Sequence, residues 1–194
     1  MPWLLITVST SGQSSSLRVL VWRKLRSLGA FYLQQSVCLL PVRPDTVGAV
    51  SRLLDRVRRE GGEARAVRIA VLDPVEERGI IEAFCAERAD EYAEVCARTP
   101  AFLDEIRSDR AKGRTTYAEV EESEVDLDRL RTWLTRIQAR DYFDAPGRVE
   151  ANEAVEECAL VLAAFEEEAL AADRVTTAPV APKSTRRLRA VNEP

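Results

Sequence analysis

The residues with the clearest chemical potential lie close together near the amino terminus. At a helical pitch, Arg18, Trp22 and Arg26 follow one another at intervals of four on one side. Arg23 and Lys24 lie beside them. A guanidinium group offers a rigid fork of donors that matches a phosphate, and an indole offers a surface for stacking. The pattern therefore predicts a surface that binds a phosphate-bearing partner.

A helix is needed to hold these side chains on one side. The opposite side of that helix is apolar and is predicted to be buried; it carries Leu17, Leu20, Val21, Leu25 and Leu28. A serine run, Ser14 to Ser16, can cap its start, and Gly29 lies where a helix usually ends in a left-handed turn. The alternative is that a neighbouring element covers Trp22, because tryptophan is usually largely buried, and that the arginines only solvate the helix.

A second helix, predicted over residues 47–59, repeats the arrangement. Asp45 and Thr46 are predicted to cap it after Pro44. Its outer side carries Arg52, Arg56 and Arg59, and Gly61 with Gly62 stops it. The two helices together give the candidate DNA-binding residues Arg18, Trp22, Arg23, Lys24, Arg26, Arg52, Arg56 and Arg59.

Short apolar, β-branched stretches surround these two helices. They predict strands over residues 3–9, 30–33, 37–40 and 65–72. The resulting order, β-α-β-β-α-β, is typical of a ferredoxin-like domain, in which one antiparallel sheet carries two helices on a single face. We therefore predict an α+β protein whose residues 1–73 form a basic ferredoxin-like head.

Residues 74–173 change to charged helix and are predicted to form an acidic, antiparallel helical bundle. Asp73 and Pro74 suit the start of its first helix, and Pro100 predicts a kink or break. Ser123 and Asp126 are predicted to begin the next helix. Residues 144–147 are predicted to form a break before the last helix. Residues 174–194 have the composition of a disordered basic tail.

Charge is segregated along the chain although the total is only -4. Residues 1–73 hold eleven basic and five acidic side chains, and residues 176–194 carry a net charge of +3. The middle must therefore be strongly acidic. This distribution predicts a polyanionic partner for the head, with DNA as the leading candidate. The alternative is that the acidic middle neutralises the basic head within the molecule.

Several classes of function are disfavoured by composition. The chain contains no histidine, which excludes Ser–His and Cys–His nucleophilic sites and His-ligated zinc. Its four cysteines lack CxxC spacing and are expected to be structural thiols of a reducing compartment. No apolar run approaches the roughly 20 residues of a membrane span. We therefore expect a cytoplasmic protein that is not an enzyme and has no metal, cofactor or membrane partner.

Several stretches resemble a known family when they are taken together. Residues 3–9 and 17–30 resemble the N-terminal module of the bacterial chromate-resistance regulator ChrB, and residues 90–94 and 139–148 resemble the helical part of that module. The resemblance implies a chromate-responsive repressor whose N-terminal module binds DNA, with Arg18, Arg23, Lys24 and Arg26 as contacts. Full-length members carry a further C-terminal domain for sensing chromate. This chain has its basic tail in place of that domain. The resemblance therefore does not imply that chromate is the effector of this protein.

Three functions follow as hypotheses. The first is a DNA-binding transcriptional regulator, a homodimer, of a chromate or metal-oxyanion resistance system. The second is a non-catalytic protein-interaction module in which the helical part docks a partner. The third is a ferredoxin-like metal-dependent nuclease. It is the weakest, because the first strand ends Thr7-Val8-Ser9-Thr10 and supplies no carboxylate to hold a metal.

Overall fold

The computed structural model describes residues 1–10 and 15–176, apart from the side chains of residues 175 and 176. The predicted tail lies outside the described residues from residue 177 onward. The α+β class is confirmed by five helices and a four-stranded antiparallel sheet in these residues. In chain order the elements are β1 (Trp3–Ser9), α1 (Ser15–Ser27), β2 (Phe31–Gln34), β3 (Val37–Pro41), α2 (Pro44–Arg59), β4 (Glu63–Ile69), α3 (Pro74–Ala111), α4 (Tyr117–Gln138) and α5 (Arg148–Thr176).

The sheet has the strand order β2-β3-β1-β4, with β1 at its centre. Ile6 of β1 lies opposite Cys38 of β3 and Ala66 of β4. Successive side chains of a strand point to opposite faces. One face, with Leu4 and Val8, contacts α1 and α2, which explains why β1 is apolar on this side.

The other face of the sheet is covered in part by the start of α3 and by the segment before α5, while Val67 of β4 stays exposed. Trp3 is fully buried there, with ring centroids 6.0 Å from Phe84 and 5.8 Å from Phe143. Its indole nitrogen donates to Glu77 at 2.8 Å. The core of the sheet thus includes residues beyond position 73, so the sheet and the helices are packed together. The division into domains at this position stays a prediction.

The bounds of β2 and β3 differ from the prediction by one residue, and larger differences concern β4 and the start of α2. The last strand was expected over residues 65–72, but β4 begins at Glu63 and ends at Ile69, because pairing with β1 runs from Ser9 to Trp3. Asp45 and Thr46 were expected to cap α2, but the N-cap is Arg43. Thr46 instead lies inside the first turn, where its hydroxyl accepts from the Arg43 backbone N–H at 3.0 Å.

Pro100 was predicted to kink or break a helix, and the break does not occur, because α3 continues through Pro100 as one helix of 38 residues. Proline lacks the N–H that would bond to the carbonyl four residues earlier. That carbonyl belongs to Cys96, and the hydroxyl of Thr99 donates to it at 3.0 Å. The freed acceptor is therefore satisfied locally. At the start of α3 the prediction is confirmed, since Asp73 accepts from the backbone of Val75 at 2.8 Å.

The start of α4 was also wrongly predicted. Ser123 and Asp126 were expected to open it, but the helix begins at Tyr117 after the N-cap Thr116. Ser123 is buried in the middle of the helix. The first turns were missed because glutamates dominate them and give no apolar repeat. The break before α5 is confirmed, with Asp144 at a φ of 53°.

The three long helices contact one another and enclose a second core. Tyr92 and Val95 of α3, Ile137 of α4 and Phe165 of α5 are fully buried in it. The Tyr92 hydroxyl donates to the buried carboxylate of Asp141 at 2.9 Å. This hydrogen bond connects the second core with the segment before α5, whose next residues, Tyr142 and Phe143, pack against the core of the sheet. None of the helices in the described ranges combines the length and apolar character needed to cross a membrane.

Candidate nucleic-acid interface

Helix α1 presents its cationic side chains to solvent. Leu17, Val21 and Leu25 are buried against the sheet, as the apolar spacing predicts. Leu20 and Leu28 are half-buried at the edge of that face. The remaining surface is exposed and carries Arg18, Trp22, Arg23, Lys24 and Arg26. The helix is therefore anchored by one side and available for binding on the other.

A groove between α1 and α2 collects four of the candidate residues. Its volume is about 880 Å³. Arg23 and Lys24 reach it from α1, and Arg52 and Arg56 from α2. No carboxylate is among the described residues that line it. The groove thus combines a cationic rim with a partly apolar floor, formed by Val19, Leu20, Ala49 and Leu53.

Most of the positive charge around this groove is not neutralised inside the molecule. Within the described residues, Arg23, Lys24 and Arg52 take part in no ion pair. Arg56 is the exception, because its Nε lies 2.8 Å from a carboxylate oxygen of Glu60. Both partners of that pair are about half exposed, so the pair is weak and its cation can still meet an external anion.

The other candidates of α1 lie on its opposite flank. Trp22 is 48% exposed, so the described chain does not cover it as the alternative interpretation required. The guanidinium carbon of Arg26 is 5.2 Å from the centroid of the Trp22 ring, a cation–π contact. Arg18 and Trp22 line a second cavity, between α1 and the sheet. The predicted residues thus form two surfaces rather than one.

Arg59 lies apart from both surfaces, near the end of α2. Its Nε donates to the backbone carbonyl of Asp55 at 3.4 Å. With Arg56 and Glu60 it lines a shallow depression of about 350 Å³. The neighbouring Arg58, which sequence reasoning did not select, donates to the carbonyl of Ala64 at 2.9 Å and so ties α2 to β4.

The end of α1 is fixed by contacts with the helices. Gly29 has a φ of 68°, and an added Cβ would lie 2.9 Å from the Cβ of Arg140. The Tyr142 hydroxyl donates to the carbonyl of Leu28 at 2.7 Å. Nearby, the Arg88 side chain is only 6% exposed and lies 2.8 Å from Glu91, which also pairs with Arg140 at 2.8 Å. These contacts set the orientation of α1.

Two of the four cysteines are buried thiols that keep their proton. All four are free thiols, and Cys38 and Cys158 are buried. Burial raises the pKa of Cys38 to about 12 and that of Cys158 to about 11, so both keep their proton at neutral pH. In the ranges that the structure describes, no group of three or more acidic or sulfur side chains is arranged to hold a metal ion.

The fold and the surface together define an α+β protein that presents an arginine-rich helical face. The family described as "Protein ChrB, N-terminal" matches residues 18–176, most of the chain, and the protein belongs to this family. The resemblance seen in the sequence is confirmed over that range and connects the chain with a chromate-resistance regulator. Residues 3–9 lie outside the matched range. No curated protein and no solved structure matches the chain.

Proposed function

We propose that this protein is a transcriptional regulator that binds duplex DNA through the groove between α1 and α2. The observation that carries the proposal is the set of cations, Arg23, Lys24 and Arg52, that line one groove without an ion pair in the described residues. Phosphate contacts dominate the affinity of most DNA-binding proteins, and exposed arginines and lysines provide them. The membership of the ChrB N-terminal family supports a regulator of chromate or metal-oxyanion resistance.

The proposal includes a ferredoxin-like arrangement for residues 1–73. The element order β-α-β-β-α-β and the strand order β2-β3-β1-β4 support it. Such a domain has no helix-turn-helix, so the docking geometry of that motif does not apply. Helices α1 and α2 lie side by side on one face of the sheet. In this arrangement their common groove follows the DNA backbone, and sequence preference comes from the side chains that flank it.

Fluorescence anisotropy with two labelled duplexes tests this function. One duplex carries the DNA upstream of the protein's own gene, and the other is an unrelated sequence of equal length. We expect tighter binding to the upstream duplex, and an affinity that falls steeply with salt for both, by a log–log slope of about -0.9 for each phosphate neutralised. Sedimentation of the complex gives the number of protein chains per duplex and tests the proposed homodimer.

The other outcomes separate the remaining hypotheses. Equal binding to both duplexes would contradict a regulator and leave a general polyanion-binding protein. Absence of binding at low salt would overturn the DNA proposal and favour the protein-interaction module. Val125, Val149 and Leu160 are exposed apolar side chains of the helices that a protein partner would have available for contact. Cleavage of either duplex in the presence of Mg²⁺ would instead favour a nuclease.

A further inference from the structure

A second cavity lies on the other flank of α1, between that helix and the sheet. It has a volume of about 540 Å³. The end of β1 and the turn between β2 and β3 form its walls, with Thr10 and Gln35 among the lining residues. Cavities of about 300–1,000 Å³ are typical of small-molecule sites in proteins. The cavity is separate from the proposed DNA groove, and Val19 of α1 is the one described residue that lines both.

The cavity contains a hydrogen-bond donor without an acceptor. Tyr32 of β2 lines it, and the oxygen of this hydroxyl is buried with no hydrogen-bond partner in the described part of the chain. Burial raises the pKa of Tyr32 to about 12, so the hydroxyl keeps its proton at neutral pH. A buried donor without an acceptor has lost its hydrogen bond to water and costs stability. A ligand atom that accepts this hydrogen bond would remove that cost.

The remaining lining combines an aromatic surface with positive charge. Trp22 forms one wall, and Arg18 is the charged residue among the described lining side chains. The guanidinium of Arg26 lies over the same indole. The field of Arg26 also reaches Tyr32, where it favours the ionised phenol but is outweighed by burial. The cavity therefore attracts anions and offers a flat apolar surface.

We propose that this cavity binds a small organic anion with a planar aromatic ring. The ring stacks on Trp22, the anionic group pairs with Arg18, and an acceptor atom takes the hydrogen bond of Tyr32. A small inorganic anion would pair with Arg18 but would make no stacking contact with the indole of Trp22. Because α1 lines both this cavity and the DNA groove, a ligand in the cavity contacts one of the two helices that form the groove. The ligand site itself does not depend on DNA binding.

Isothermal titration calorimetry of the full chain without DNA tests the site, with salicylate and adenosine 5′-monophosphate as probes. Benzyl alcohol and cyclohexanecarboxylate serve as the uncharged and the non-planar controls. We expect at least one probe to bind with a dissociation constant of about 1 mM or lower and both controls to bind more weakly. No binding of either probe up to about 10 mM would overturn the proposal. Equal binding of cyclohexanecarboxylate would overturn the planar requirement.

Single substitutions locate the binding. Tyr32→Phe removes only the hydroxyl and should weaken binding of the probe about fivefold. Arg18→Ala should weaken it tenfold or more, because a hydrogen bond to a charged group is the stronger one. Trp22→Ala should also reduce affinity. Arg131→Ala, an exposed arginine of α4, is the matched control and should leave it unchanged. Unchanged affinity in the three cavity variants would contradict the site even if the probe binds.

Binding of the probe to the cavity can be tested independently of the proposed DNA binding. Substitution of Arg52, which lines only the groove, should weaken DNA binding and leave the probe affinity unchanged. A chain that binds the probe but no DNA would retain this inference and lose the proposed function. A chain that binds DNA but neither probe would retain the proposed function and lose this inference.

Discussion

The basic surface of α1 and α2 and the helical region α3–α5 use arginine in opposite ways. Among the described residues of the helical region, eight arginines form ion pairs, four of them with a carboxylate on the same helix. In α1, Arg18, Arg23 and Arg26 have no ion pair within the described residues. Positive charge is therefore satisfied inside the molecule in one region and left for an external partner in the other. The alternative was that the acidic part neutralises the head; in the described residues, no arginine or lysine of residues 1–73 forms an ion pair with a carboxylate of the helical region.

The largest effect is expected where charge is both paired and buried. Glu91 is the shared partner of Arg88 and Arg140, and Arg88 is almost fully buried. Glu91→Gln removes the carboxylate that Arg88 and Arg140 share and leaves the buried Arg88 with only Glu87, which lies 3.1 Å away and is largely exposed. We expect a loss of about 3 kcal/mol in the free energy of unfolding, the lower end of the range for breaking a buried pair. Urea denaturation measures it. The control is Glu94→Gln in the exposed pair with Arg98, for which about 0–1 kcal/mol is expected. Equal losses would refute the distinction between buried and exposed pairs.

The junction between the two regions gives the next largest effect. Gly29 has a positive φ and lies against Arg140, so Gly29→Ala should destabilise the protein by about 1–3 kcal/mol. Gly79 is the matched control, because an added Cβ there meets no atom within 4 Å. Gly79→Ala lies inside α3 and should stabilise by about 0.5–1 kcal/mol, since alanine favours helix. Thermal unfolding of the two variants should therefore shift in opposite directions, and a shift in the same direction would contradict the geometry at Gly29.

A smaller effect is expected from the buried thiols, one in each region. The folded-state pKa of Cys38 is raised from 9.0 to about 12 and that of Cys158 to about 11. Their contribution to stability is therefore fully present below pH 9 and is lost as pH rises through the raised values. At pH 10 we expect a loss of about 1 kcal/mol for each thiol relative to pH 8. Urea midpoints between pH 7 and 11 test this. A Cys38→Ala variant should show a shallower decline, and an identical decline would exclude Cys38 as a cause.

Local patterns predicted the sheet region well, because each of its elements has a clear signal. The apolar, β-branched stretch of residues 3–9 predicted β1 with its observed bounds, and the apolar spacing of Leu17, Val21 and Leu25 predicted the buried face of α1. The failures came from interactions that are not periodic. Thr99 satisfies the carbonyl that Pro100 leaves free, and this depends on one hydroxyl group rather than on a pattern.

The candidate surface was predicted only in part. Helical periodicity placed Arg18, Trp22 and Arg26 on a common side, but it could not show that Arg23 and Lys24 face α2 across a groove, which depends on how the two helices pack. Lys24 and Arg26 also lie in the last turn of α1, where positive charge stabilises the helix end. The sequence alone therefore could not separate binding from helix stability. The cavity beside Tyr32 arises from tertiary packing and had no signal in the sequence.

The central claim is that the unpaired cations of the groove, rather than positive charge in general, bind DNA. The direct test compares two triple variants of equal net charge by salt-dependent binding to the upstream duplex. One replaces Arg23, Lys24 and Arg52 by alanine. The other replaces three exposed arginines of the helical region that have no ion pair in the described residues, Arg78, Arg131 and Arg136.

We predict that the groove variant loses affinity and that its log–log salt slope becomes shallower by about 2–3, one phosphate for each cation removed. The variant of the helical region should keep the slope of the unmodified protein. If the salt slope becomes shallower by the same amount in both variants, DNA binding depends only on the total charge of the protein, and the proposed role of the groove is contradicted.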